Sequence, residues 1–294
     1  MRYGAIDIGS NAVRLMVKEI REEAGQTKAD KVAYTRIPIR LGEDVFESGR
    51  IGPAKEKALT SAVHAFQLLL QSMGVTRFRA CATSAMREAD NGKEVVRNIR
   101  DKTGIDIDLI SGREEADLIF SNFAITTLDK DRDYLYVDVG GGSTELTLIR
   151  EGQRVEAKSF RIGSVRLLKG KVTPEVREEL KVWCEELKDR HRVHSPIVIG
   201  SGGNINRLYK LAGGVGKGPI VKADLERTLD QLKAATYEEK LDRFGLKPDR
   251  ADVIVPACRI YLDAMDLFEA DTVIVPKVGL GDGMVLQLHR ENQR

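Results

Sequence analysis

One feature constrains this chain more than any other: a short internal repeat. Asp7-Ile8-Gly9-Ser10-Asn11-Ala12-Val13-Arg14-Leu15 lines up with Asp138-Val139-Gly140-Gly141-Gly142-Ser143-Thr144-Glu145-Leu146. Each copy follows a short apolar strand, Tyr3 to Ile6 in the first and Tyr134 to Val137 in the second, and leads straight into another. The same strand–turn–strand context occurring twice predicts two related domains, each presenting one loop. The boundary falls near a polar stretch, Thr126 to Arg132, which reads as a linker. Residues 1–126 are the expected first domain and 127–282 the second, with a final helix, 283–294, packing back on the first.

Between the loops, strand-like and helix-like periods alternate, the pattern of an α/β fold. Strands are predicted at 3–7, 13–20, 31–38, 78–82, 106–110, 144–150, 154–161, 196–200 and 272–275. An amphipathic helix is predicted at 54–73, with Ala58, Leu59, Ala62, Val63, Phe66, Leu69, Leu70 and Met73 on its apolar face. Further helices are predicted at 93–103, stopped by Gly104, and at 112–126, 174–190, 203–212, 222–234, 248–268 and 281–291.

Charge and composition limit the function. The 47 basic and 45 acidic side chains leave a net charge of +2, which argues against general binding to DNA. No apolar run approaches a membrane span, and no basic-then-apolar leader opens the chain, so a cytoplasmic protein without a membrane partner is expected. The cysteines, Cys81, Cys184 and Cys258, are scattered, without metal-ligand spacing, and read as small buried apolar residues.

The chemistry concentrates in a few segments. Three successive glycines, Gly140, Gly141 and Gly142, let backbone N–H groups approach an anion, and Ser143 and Thr144 can add hydroxyls. Asp138, at a strand end, can hold Mg²⁺ directly or through water, because hard cations take oxygen ligands. In the partner loop, Gly9, Ser10 and Asn11 can serve a second phosphate, and Arg14 is either a phosphate contact or a salt-bridged strand residue. Arg87 follows a strand and can grip phosphate oxygens in a bidentate way. Ser111 and Glu114 have capping-box spacing, which gives Glu114 a structural role. Glu115 has no such explanation, and a carboxylate there can activate water. Ser201, Gly202 and Gly203 follow an apolar strand and open a helix, a third candidate anion loop. Two stretches, Lys158 to Lys171 and Arg207 to Lys222, carry bases and no acid, and could steer a long polyanion.

Together these residues resemble the Ppx/GppA phosphatases, which are exopolyphosphatases and pppGpp phosphohydrolases of the acetate kinase–sugar kinase–heat-shock–actin superfamily. The motifs that carry the resemblance are DIGSNAVRL, ATSAMREADN, SGREEADLIF, DVGGGSTEL, RIGSVRL, GSGGNINRL and GLGDG, from Asp7 to about Gly283. The resemblance implies two actin-like, ribonuclease H-like domains around an interdomain cleft. It matches Glu115 to the catalytic base, Asp138 and Glu145 to acids at the metal and active site, Arg87 to a phosphate-binding arginine, and Gly140 to Ser143 to the phosphate loop. Arg250 matches an arginine of substrate contact. Mg²⁺ or Mn²⁺ is the implied cofactor. Inorganic polyphosphate is the leading implied substrate, with pppGpp the alternative, and a homodimer stays open. Ala12 stands where a serine is common, and Gly281 replaces a basic residue. The chain resembles a short form that lacks the helical domain of longer members. A kinase or chaperone-type ATPase of the same superfamily, or a non-enzymatic sensor, are the competing classes.

Overall fold

The computed structural model describes residues 1–23, 26–121, 128–216, 218–276 and 278–293. Part of the expected linker at 126–132, the end of the helix expected at 112–126, Lys217 and Arg294 lie outside the described residues. The chain forms two compact units, Met1–Ile125 with Gly279–Arg294, and Thr126–Val278. The C-terminal segment joins the first unit from Gly279, a few residues earlier than the sequence suggests.

In the first unit, β1 (Arg2–Ile8), β2 (Val13–Glu23), β3 (Gln26–Ile37), β4 (Arg77–Ala82) and β5 (Asp108–Leu109) form one sheet in the order β3-β2-β1-β4-β5. β1 is antiparallel to β2 and parallel to β4, and β5 is parallel to β4. The helices are α1 (Leu41–Ser48), α2 (Pro53–Ser72), α3 (Ser84–Glu88), α4 (Gly92–Thr103), α5 (Gly112–Phe120) and α13 (Leu280–Asn292). β1 is buried from Tyr3 to Ile6 because both its faces are covered. A Cβ on Gly4 would meet Leu70 of α2, while the next residue, Ala5, faces Gly281 of α13. Leu59, Ala62, Val63, Phe66 and Leu70 of α2 are buried as its period predicts, whereas Ala58 is exposed.

The second unit repeats this plan. β6 (Tyr134–Val139), β7 (Thr144–Arg150), β8 (Gln153–Phe160), β9 (Ile197–Ser201), β10 (Ile220–Val221) and β11 (Thr272–Ile274) form a sheet in the order β10-β11-β9-β6-β7-β8. Its core, β8-β7-β6-β9-β11, has the same order and strand directions as the five strands of the first unit. The match extends to a detail of register. The second and third strands of each unit slip between equivalent residues, Val17/Lys18 and Leu148/Ile149, which leaves Val32 and Val155 as the extra, bulged residues. The helices are α6 (Ser164–Leu168), α7 (Pro174–His191), α8 (Gly203–Leu211), α9 (Lys222–Ala234), α10 (Tyr237–Asp242), α11 (Pro248–Ala251) and α12 (Ile254–Leu267). α12 is the central helix, packing on α6, α8, α9 and β6. Phe160 and Trp183 meet edge to face, with ring centroids 5.5 Å apart, in the core of this unit.

Several short elements depart from the sequence reading. α1, α3, α6, α10 and β10 are not anticipated, because two to eight residues carry too little period to register. The single helix expected at 248–268 is broken at Asp252 and Val253. Pro256 has no N–H to give the carbonyl of residue 252, and its ring would press on that carbonyl in a continuous helix. All three cysteines are buried free thiols, pushed up to about 12 chiefly by burial. Among the described residues, no helix is long and apolar enough to cross a membrane.

Candidate functional site

Parallel strands gather chemistry at their C-terminal ends. In the second unit those ends are Val139 of β6, Ser201 of β9 and Ile274 of β11. Asp138, one residue before the end of β6, lies directly opposite Glu145 on β7, so both carboxylates share one face of the sheet. Glu145 is 3% exposed and accepts a hydrogen bond from Ser159 Oγ at 2.7 Å. Between them runs the loop Gly140 to Ser143, pinned at its base by Gly140 N donating to Ser143 O at 2.9 Å.

The carbonyls of this loop are all held from one side. Ser164 N donates to Gly140 O at 2.9 Å, Val165 N and Arg166 N donate to Gly141 O at 2.9 and 3.0 Å, and Arg166 Nε donates to Gly142 O at 2.8 Å. In a planar trans peptide, the C=O and the following N–H point in opposite directions. The N–H groups of Gly141, Gly142 and Ser143 are thereby turned away from α6 together. Among the described residues, no backbone carbonyl takes them. Successive N–H groups facing the same way are the arrangement in which backbone can hold an anion. Gly163 permits the arrangement: a Cβ there would lie 2.4 Å from Gly141 O. Thr144, expected to add a hydroxyl to the loop, spends it instead on Ile162 O at 2.5 Å.

The third candidate loop adjoins the first. Ser201 pairs with Asp138 in the parallel ladder, and Ser201 Oγ donates to Val278 O at 3.2 Å. Gly202 has φ 100°, which favours glycine, and a Cβ there would lie 3.1 Å from Asp138 Oδ1. It caps α8 with no side-chain partner, which leaves the helix N-terminus to an anion. Arg250, on the short helix α11, reaches this point, its guanidinium 2.9 Å from where a Cβ on Gly203 would stand. Below lie two buried tyrosines. Tyr261 donates to Ser201 O at 2.5 Å and to Val137 O at 3.4 Å. Burial, then the negative charge of Asp138, pushes the Tyr136 and Tyr261 hydroxyls well above the ordinary tyrosine range, so both remain donors.

The first unit builds a related but differently wired edge. Gly9 N donates to Ala12 O at 3.1 Å, closing the same turn. Gly42 N and Arg40 N donate to Ser10 O and Asn11 O at 2.8 and 3.0 Å, so the helix after the third strand props this loop too. Ser10 is buried, and its hydroxyl bonds Ser84 Oγ at 2.9 Å. Asp7 and Arg14, equivalent to Asp138 and Glu145, form an ion pair at 2.5 Å, the salt-bridged strand role considered for Arg14. Arg87 donates to Ile110 O at 2.6 Å, tying the end of β4 to the segment that opens α5. Ser111 caps that helix, accepting from Glu114 N at 3.1 Å. The Glu114 carboxylate does not complete a capping box; it pairs with Arg79 at 2.8 Å. Glu115 follows in the same first turn, half-buried, its N–H on Ser111 O at 2.9 Å.

Sequence reasoning missed the propping segments, although a signal was present: Arg36-Ile37 then Arg40-Leu41 echoes Arg161-Ile162 then Arg166-Leu167 at the same place after each loop. The basic stretches are less open than their composition suggests. Lys158 pairs with Glu179 at 2.9 Å, Arg166 is 5% exposed, Arg207 donates to Phe244 O, and Lys222 pairs with Asp266. A groove of about 640 Å³ on the second unit, lined by charged residues including Arg177, Lys233, Arg259 and Asp263, contains none of the loop residues.

The chain is similar to several known proteins. Exopolyphosphatase 1 of Mycobacterium tuberculosis is 27% identical over 98% of this chain and 88% of its own. The crystal structure of an Aquifex aeolicus Ppx/GppA family member superposes with a TM-score of 0.77 at 28% identity, covering 99% of both chains. An exopolyphosphatase from Cytophaga hutchinsonii shares the fold, with a TM-score of 0.83 at 24% identity over 99% of this chain and 98% of that one. The model of the Ppx/GppA phosphatase family matches residues 19–291. With its two α/β units of matching strand order, the chain belongs to the Ppx/GppA phosphatase family.

Proposed function

We propose that this protein is an exopolyphosphatase, releasing orthophosphate from the end of inorganic polyphosphate by attack of water on the terminal phosphorus. The observation that carries the reading is the edge of the second unit. Three N–H groups, a capless helix N-terminus and Arg250 offer donors to a phosphoanhydride, and two opposed carboxylates stand beside them. Phosphoryl transfer asks a protein mainly for positioning and charge stabilisation, which such a cradle supplies.

A divalent cation suits the donor set. Among the described residues no cluster of three or more His, Cys, Asp or Glu side chains occurs, and Mg²⁺ needs only one or two carboxylates beside water and phosphate oxygens. Asp138 and Glu145 would hold Mg²⁺ or Mn²⁺, which when bound neutralises phosphate charge. The protein's own groups do the rest: the loops grip and orient the terminal phosphate, and Glu115 takes the proton of the attacking water. Glu115 is the acid that the family resemblance matches to the base, and its neighbour Glu114 pairs with Arg79 at 2.8 Å.

The test is phosphate release from long polyphosphate, short polyphosphate, pppGpp and ATP with Mg²⁺, for the wild type and Glu115→Gln. Polyphosphate should be turned over best, and the variant should lose about 10²–10⁴-fold in rate while binding is kept. Faster turnover of pppGpp would reassign the substrate. Wild-type rates in the variant would move the base elsewhere.

A further inference from the structure

We infer that Arg166 is a positioning residue for the terminal phosphate, acting through the loop rather than as part of a surface polyanion track. The inference rests on the reading of Gly140 to Ser143 as the phosphate loop.

Three observations carry it. Arg166 is 5% exposed, so its charge sits inside the unit, directly behind the loop. Its Nε is the donor that holds Gly142 O, and that bond fixes the peptide whose far side is the N–H of Ser143. The comparison between units supplies the third. Asn11, the counterpart of Gly142 in the repeat, has its carbonyl held by a backbone N–H, that of Arg40. The second unit has put a charged side chain where the first uses a neutral backbone donor.

The exchange has two consequences. A charge-assisted bond is stronger than a neutral one, so the Gly142–Ser143 peptide is held more firmly in the orientation an anion needs. A guanidinium never loses its proton in the working pH range, so it keeps a positive charge behind the N–H groups that face the phosphate. In the first unit the acid at the place of Asp138, Asp7, pairs with Arg14.

The experiment compares wild type, Arg166→Gln and Arg166→Lys by steady-state kinetics on polyphosphate with Mg²⁺, by inhibition with inorganic orthophosphate, and by thermal melting. Arg166→Gln should raise KM and the orthophosphate inhibition constant in parallel by about 10- to 100-fold, the loss of one charge-assisted bond, with kcat changing less. Arg166→Lys keeps the charge without the planar fork and should lose only about 3- to 10-fold. A lowered melting point with wild-type KM and inhibition constant would reduce Arg166 to a structural role and overturn the proposal. If Arg166→Gln does not fold, wild-type constants in Arg166→Lys overturn it equally. A wild-type protein that neither releases phosphate from any of the substrates nor binds orthophosphate would sink the phosphate-loop reading itself, a result distinct from either.

Discussion

Gly163→Ala tests the loop geometry directly. Gly163 has φ −141° and ψ 162°, extended backbone that alanine adopts without strain, so the added methyl acts by contact alone. That methyl would stand 2.4 Å from Gly141 O and 2.5 Å from the carbonyl carbons of Gly141 and Gly142. All three neighbours are backbone, which cannot swing aside as a side chain can. Relief requires α6 and the loop to part by roughly 1 Å, in a region where five hydrogen bonds join them. Overpacking of this kind costs about 1–3 kcal/mol. In a unit of this size that lowers the melting point by roughly 3–10 °C. The functional cost should be larger than the stability cost, because a misplacement of about 1 Å at a reacting group can cost about 10²-fold in rate. The assay is kcat/KM for orthophosphate release, alongside a circular dichroism melt. Gly218→Ala is the control, since its methyl would meet only Val215 O at an ordinary 3.6 Å. A folded Gly163→Ala protein with wild-type kcat/KM and melting point would refute the claim that α6 sets the loop.

Asp138→Asn should leave the fold intact and raise the Mg²⁺ concentration needed for half-maximal activity by more than about tenfold, because one of two candidate carboxylate ligands is lost; undiminished activity of the wild type in EDTA would remove the metal from the mechanism. The three buried thiols make a pH prediction. Their folded values, about 12, lie above the ordinary thiol value of 9.0, so the folded state retains protons that the unfolded chain gives up. Their contribution is complete below about pH 9 and is lost as pH rises from there to 12, each thiol adding up to about 1.4 kcal/mol per pH unit to the decline. Urea melts from pH 8 to 10.5 should show a shallower decline in Cys184→Ala than in the wild type, and an equal slope would contradict the burial effect. At pH 8 the native protein should react with a thiol reagent far more slowly than the unfolded chain, and equal rates would contradict it as well.

The sequence by itself determined the plan of two related units. The repeat of Asp7–Leu15 at Asp138–Leu146 is real in three dimensions: the same turn, the same strand order and the same bulge recur. It could be read because strand, glycine turn and strand are local features, encoded in consecutive residues. The glycines of both loops, the helix start at Gly203 and the stop at Gly104 were legible for the same reason.

What each loop can do was decided by partners far away in the chain. Composition alone could not distinguish Arg166, buried behind Gly142, from Lys171, exposed a few residues on. Nor could it say that Arg14 would be paired with Asp7 while Glu145 faced Asp138, since a cross-strand neighbour is set by register. Glu114 had the spacing of a capping box, yet Arg79, brought alongside from β4, took its carboxylate. The direction of the three N–H groups follows from bonds between loop carbonyls and a helix more than twenty residues later, and Gly163 matters only because that helix approaches within a methyl's breadth. Local sequence fixes which dihedral angles a residue can adopt. The orientation of a peptide plane toward a ligand depends on what holds its other side, and only the packed tertiary structure supplies that.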